Sequence, residues 1–191
     1  WNRPQTITLP QGTVVTLGHD AMGRETSRTT STGEFRYLTY GVGDRIEKMT
    51  DNTGTTTYSY DQAGRFSGIT YPSGASVMYT RDILERTTDV TVKVSATATL
   101  INTHYTYDPN GNLAEILDPN GGITAFAYDD ADRLRSRLLP NGIVTAYEYD
   151  QRDRVLSVLH KNAHNVALAS VEYVRSSSGE PTRITREDGT Y

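Results

Sequence analysis

The stretch Tyr105-Thr106-Tyr107-Asp108-Pro109-Asn110-Gly111-Asn112-Leu113 is followed by Phe126-Ala127-Tyr128-Asp129-Asp130-Ala131-Asp132-Arg133-Leu134, and then by Tyr147-Glu148-Tyr149-Asp150-Gln151-Arg152-Asp153-Arg154-Val155. Upstream, Tyr58-Ser59-Tyr60-Asp61-Gln62-Ala63-Gly64-Arg65-Phe66 fits the same template. Weaker copies begin at Leu17, Leu38, Tyr79 and Tyr173. The slot before the Asp falls at 19, 40, 60, 81, 107, 128, 149 and 175, with successive gaps of 21, 20, 21, 26, 21, 21 and 26. A second mark keeps step with it: Gly12, Gly33, Gly54, Gly74, Gly121 and Gly142 each precede a slot by six or seven residues. Two marks in phase over most of the chain define an internal repeat.

Each repeat reads as two short strands and two turns. Thr55 to Tyr60 alternates so that Tyr58 and Tyr60 share a face, as a strand requires. Asp61 to Gly64 is then a turn, Arg65 to Thr70 the returning strand, and Tyr71-Pro72-Ser73-Gly74 the closing turn. Asn120-Gly121 and Asn141-Gly142 are hairpin signals in that closing position. The apolar residues after the Asp turn stand three apart, Phe66 with Ile69 and Leu113 with Ile116. Strict alternation puts them on opposite faces, so the pattern demands either a bulge or burial on both faces. The two 26-residue gaps place lengthened hairpins or loops near residues 91–103 and 160–171. Only His160 to Ser170 has moderately helical composition, and it carries no cap. The expected architecture is all-β: one repeat region over 1–191, about eight units and about sixteen strands, forming a long, twisted and curved antiparallel sheet.

Composition narrows the function. The 191 residues are 36% hydrophobic and 22% charged, with 28 Thr, 16 Gly and 13 Tyr, a strand-and-turn composition. Cysteine is absent, which removes disulfides and thiolate chemistry. No apolar run approaches the length of a membrane helix, and Trp1-Asn2-Arg3-Pro4 has no secretory-signal character. A net charge of −4 speaks against a nucleic-acid partner.

The signature residues have structural work to do. Asp61, Asp108, Asp129 and Asp150 open turns by accepting backbone N–H groups, while Gly64 and Gly111 take the left-handed position that Asp132 and Asp153 fill elsewhere. Tyr58, Tyr60, Tyr105, Tyr107, Tyr128, Tyr147 and Tyr149 supply cross-strand contact area. Arg65, Arg133 and Arg154 are placed to pair with the turn Asp of an adjacent unit or to lie over a Tyr ring. A residue recurring once per repeat serves the period, whereas a catalytic pair is needed once. His19, His104, His160 and His164 lack the companions of a metal site, and no phosphate loop, dinucleotide fingerprint or nucleophile elbow is present. The reading is a non-enzyme with no catalytic, cofactor or metal site.

The pattern Tyr-x-Tyr-Asp-x-x-Gly-Arg-Leu with a period near 21 resembles the YD repeat of the RHS family, which comprises bacterial polymorphic toxins, B/C components of Tc toxins and teneurins. The resemblance implies a spiralling β shell, secretion or delivery from a bacterial cell, and partners consisting of the rest of the shell and an enclosed cargo toxin. Asp108-Pro109-Asn110-Gly111 and Asp118-Pro119-Asn120-Gly121 share the letters of that family's self-cleavage site but sit in ordinary turn positions. Trp1 and Tyr191 fall mid-repeat, so the chain is expected to be an excised piece whose bare sheet edges pair with a second copy or are closed by loops. The alternative function is a carbohydrate-binding, lectin-like or teneurin-like adhesion surface; glycans stay open as partners.

Overall fold

Residues 5–187 are described by the structure, a computed structural model; Trp1-Asn2-Arg3-Pro4 and residues 188–191 lie outside the described residues. Two compact units divide at Ile101/Asn102. In the first, β1 (Thr6–Thr8), β2 (Val14–His19), β3 (Glu25–Thr30), β4 (Phe35–Tyr40), β5 (Ile46–Asp51), β6 (Gly54–Tyr60), β7 (Phe66–Thr70), β8 (Ser76–Arg81) and β9 (Thr87–Lys93) form an antiparallel meander, each strand pairing with the next. In the second, β10 (Ile101–Tyr107), β11 (Leu113–Leu117), β12 (Ile123–Tyr128), β13 (Leu134–Leu138), β14 (Val144–Tyr149), β15 (Val155–Lys161), β16 (Ala167–Arg175) and β17 (Pro181–Glu187) do the same. The fold is all-β and antiparallel. Among the described residues the only helical element is the 3-10 turn Val42–Asp44.

Turn chemistry explains why the chain reverses where it does. Asp61 N–H donates to the Arg65 carbonyl and Gly64 N–H to the Asp61 carbonyl; this tight turn ends in a left-handed residue, and Gly64 has φ +78°. The closing turns use the same device: Gly142 N–H donates to Leu139, and Gly142 has φ +80°. One turn is a residue shorter. Asp51 pairs directly with Gly54 around Asn52-Thr53, which produces the single 20-residue spacing.

The three-residue apolar spacing comes from bulges. The ladder shifts register between the slot residue and the one before it: Gly18/His19, Thr39/Tyr40, Ser59/Tyr60, Thr80/Arg81, Thr106/Tyr107, Ala127/Tyr128, Glu148/Tyr149 and Val174/Arg175. In each case two residues of the returning strand face one slot residue. Phe66 therefore opposes Tyr60 and Ile69 opposes Tyr58, all on one face. Leu113 and Ile116 oppose Tyr107 and Tyr105 in the same way. The extra residue turns a spacing of three into a shared side.

Each unit thus has two unlike faces. One carries the slot residues with Leu17, Ile69, Val77, Ile116 and Val158; the other carries Thr16, Thr29, Thr39, Thr57, Thr70 and Thr80. The buried side chains of Val15, Leu17, Thr56 and Thr145 lie on the slot face, while the buried Gly68, opposite Ser59, lies on the other. A single layer of strands has no second layer to bury against, so the remaining slot-face side chains are largely half-buried under their neighbours.

The two 26-residue spacings have different causes. After β9 the chain runs irregularly to β10, whereas at residues 160–171 longer strands β15 and β16 flank a regular Asn162-Asn165 turn. The helix-compatible composition of that second stretch yields to strand pairing, His160 with Ala169.

Candidate functional site

The signature residues converge along the slot-side turns, where one clamp recurs. Asp61 Oδ1 accepts the Arg65 N–H at 2.9 Å, and Asp61 Oδ2 accepts Arg65 Nε at 2.8 Å. Asp129 with Arg133 and Asp150 with Arg154 repeat both bonds, each Nε lying at 2.7 Å. Asp20 with Arg24 and Asp82 with Arg86 do likewise. At Asp108 the arginine is replaced by Asn112, whose N–H and amide serve the same carboxylate. Gly41 stands where the Asp would be and has no carboxylate to clamp; Arg45 there reaches the Gly64 carbonyl of the next repeat.

The clamps are linked from repeat to repeat. Arg24 reaches Asp44, Arg65 reaches Glu85 at 2.8 Å, and Arg133 reaches Asp153 at 2.7 Å. Asn112 and Asn110 both reach Asp132 at 2.8 Å. Asp44, Glu85, Asp132 and Asp153 all hold positive φ, between 58° and 70°. In these four repeats the left-handed position carries an acid that meets a donor of the preceding repeat, in a conformation that costs a non-glycine residue roughly 1–2 kcal/mol. Where the position is Gly64 or Gly179, the incoming guanidinium of Arg45 or Arg154 occupies the space of the missing side chain.

The slot side chains at 40, 60, 81, 128, 149 and 175 reach back one repeat. Tyr40 Oη donates to the Glu25 carbonyl at 2.7 Å, Tyr60 to Ile46 at 2.8 Å, Tyr128 to Leu113 at 3.1 Å and Tyr149 to Leu134 at 2.9 Å. Every acceptor is the first residue of the preceding bulge. Arginine replaces tyrosine at two slots and keeps the bond: Arg81 to the Phe66 carbonyl at 2.9 Å, and Arg175 to Val155 at 3.1 Å. Guanidinium groups cover the tyrosine rings, Arg24 over Tyr40 at 4.5 Å, Arg45 over Tyr60 at 5.4 Å and Arg133 over Tyr149 at 4.9 Å. Tyr58, Tyr105 and Tyr147 pair across the strands with Ile69, Ile116 and Val158.

Electrostatics follow from these partners. The Arg154 side chain holds the Asp150 carboxyl down at about 2, aided by backbone N–H groups and opposed by partial burial. Hydrogen bonds from Arg28 and then Arg36 bring Glu25 to about 2, again against burial. Burial pushes the Tyr128 and Tyr149 hydroxyls up. His160 Nδ1 lies 3.0 Å from Thr145 Oγ1. The arrangement joins backbone to side chain and repeat to repeat. Sequence reading reached the Asp turn, Asp132 and Asp153 in the left-handed position and the Arg–Tyr contact. It placed each arginine on the turn Asp of an adjacent unit, where it clamps its own, and it missed the hydroxyl-to-carbonyl bond and the donor that meets the left-handed acid. The signals for these were the Tyr/Arg exchange at slots 81 and 175 and the Gly/acid exchange at 44, 85, 132 and 153.

A periodic antiparallel array, knit by side chains reaching one repeat back and one forward, defines a class of repeat protein. The RHS Repeat family model matches residues 1–34, 39–76, 107–137 and 128–163, more than half of the chain. This chain belongs to that family. No curated protein matches it. Among solved structures, the TcdB2-TccC3-TEV crystal structure is similar with a TM-score of 0.65 and 15% identity over 91% of this chain. The Tc holotoxin pore of Photorhabdus luminescens, carrying a TccC3 mutation, is similar to the same extent, with a TM-score of 0.65, 15% identity and 91% coverage. The chain spans about a tenth of the length of either, 10% in both cases. At that identity the likeness is one of fold.

Proposed function

We propose that this chain is non-catalytic wall: a stretch of an RHS-type shell that encloses a toxin domain and helps deliver it from a bacterial cell. Its partners are then the remaining repeats of the shell and the cargo. Residues 1–191 act as one repeat region in this reading, and the signature residues Tyr58, Tyr60, Asp61, Gly64, Arg65, Tyr105, Tyr107, Asp108, Gly111, Tyr128, Asp129, Arg133, Tyr147, Tyr149, Asp150 and Arg154 serve its construction. One observation carries the proposal: slot hydroxyls, turn carboxylates and arginines are engaged by the backbone or by the adjacent repeat, again and again at the same spacing. A wall must pair its backbone continuously and stay too polar to hold a passenger folded. The threonine-rich face fits that second demand.

Carbohydrate binding draws no support from the slot tyrosines. The hydroxyls of Tyr40, Tyr60, Tyr128 and Tyr149 are occupied by carbonyls, and guanidinium groups cover the Tyr60 and Tyr149 rings. The test is limited proteolysis of the full-length polypeptide that contains this chain. Enclosure predicts that its cargo domain survives trypsin in the intact assembly and is cut once the shell is opened by mild denaturant. Equal cleavage before and after opening contradicts enclosure.

A further inference from the structure

The repeat breaks at slot 81, and the break leaves a hollow. In three other repeats a tyrosine in the slot puts its ring under the arginine of the preceding turn: Tyr40 for Arg24, Tyr60 for Arg45 and Tyr149 for Arg133. Slot 81 holds arginine, and among the described residues no ring lies over Arg65. Beside it opens a cavity of about 450 Å³ lined by Asp61, Ala63, Arg65, Tyr79 and Arg81. That size falls in the range of small-ligand sites, about 300–1,000 Å³.

The charges there are unequal. Arg65 is compensated twice, by Asp61 Oδ2 at 2.8 Å and Glu85 Oε1 at 2.8 Å. Arg81 uses Nη1 on the Phe66 carbonyl, and its guanidinium carbon stands 5.9 Å from the Tyr79 ring centroid. It forms no ion pair among the described residues. The site therefore presents an uncompensated guanidinium, an aromatic ring and a volume with no tyrosine over Arg65. The other arginine slot is built differently. At Arg175, the turn position matching Ala63 is Arg152, which crosses to the Ser177 carbonyl at 3.1 Å. Alanine at 63 leaves the equivalent path open.

We propose that this hollow binds a small aromatic carboxylate. The ligand ring takes the place of the missing tyrosine ring beside Arg65 and Tyr79, and its carboxylate pairs with the Arg81 guanidinium, a charge-assisted contact stronger than a neutral hydrogen bond. The site is independent of what the shell encloses.

Three probes separate the contributions: 4-hydroxyphenylacetate, its neutral amide, and acetate. Titrating the chain while following backbone amide shifts by NMR should move Ala63 and Thr80 with the aromatic acid, while the amide and acetate each bind at least about tenfold more weakly, the loss set by one charged contact or by the ring. Arg81→Tyr restores the ordinary slot residue and Ala63→Arg supplies the bridge found at Arg152; both should abolish the shifts in a folded protein. Absence of binding by the aromatic acid, equal binding by amide or acetate, or undiminished binding in Arg81→Tyr overturns the proposal.

Discussion

The turns at Asp129 and Asp61 start from the same clamp and finish differently. At Asp129, Arg133 holds its own carboxylate, reaches Asp153 and is covered by the Tyr149 ring, whose hydroxyl closes back on Leu134. At Asp61, Arg65 holds its carboxylate and reaches Glu85, but the next slot is Arg81. The bond to the bulge carbonyl survives the exchange, whereas the ring over the arginine does not. The polar bond is the invariant of these two repeats and the aromatic cover is the variable part.

The comparison can be broken most severely at Tyr149. Tyr149→Ala removes the ring, its cover on Arg133 and the bond to Leu134, and should lower unfolding free energy by roughly 2–3 kcal/mol in urea titration, somewhat below the fully buried aromatic range. Arg81→Ala has no such ring to lose and should cost clearly less. A closing turn is the next target: Gly142→Ala forces a side chain to φ +80° and brings Cβ within 2.6 Å of the Ala163 Cβ. A cost of about 1–2 kcal/mol is expected, visible as a lower thermal midpoint. Arg81→Tyr sharpens the contrast in the opposite direction, supplying a ring to Arg65 and stabilising by about 0.5–1 kcal/mol.

Acid should erase part of both ladders. Asp150 and Glu25 titrate near 2 when folded, against 3.8 and 4.5 ordinarily. A carboxylate with a depressed folded pKa stabilises above its ordinary value, and that contribution is lost as pH falls through the folded one. Stability should therefore hold above about pH 4.5 and decline toward pH 2, as followed by circular dichroism. The smallest change belongs to Asp153→Ala, since its carboxylate is 73% exposed; any loss there should fade in high salt.

Much of this was legible in the chain itself. Gly12, Gly33 and Gly142 marked turns because only glycine reaches their conformation freely, and Asp61 announced a turn through its short accepting side chain. The bulge was present as one side of an unresolved choice: Phe66 and Ile69 violated alternation, which a bulge and burial on both faces explain equally well. The bond from Tyr149 to Leu134 was hidden because its acceptor is a backbone carbonyl fifteen residues earlier, which no side-chain pattern reports. The aromatic-lidded arginine and the hollow at Arg81 depend on register across two repeats, and register follows from the bulge. Contacts within a turn were readable; across turns the Arg–Tyr cover was readable as a kind of contact, without its partners.

The most direct test compares Tyr60→Phe, Tyr128→Phe and Tyr149→Phe, each deleting one hydroxyl bonded to a bulge carbonyl in a different repeat. If tyrosine recurs because every bulge needs that donor, urea titrations should show three similar losses of about 1 kcal/mol each. Three negligible changes, or a loss confined to one repeat, would contradict the account.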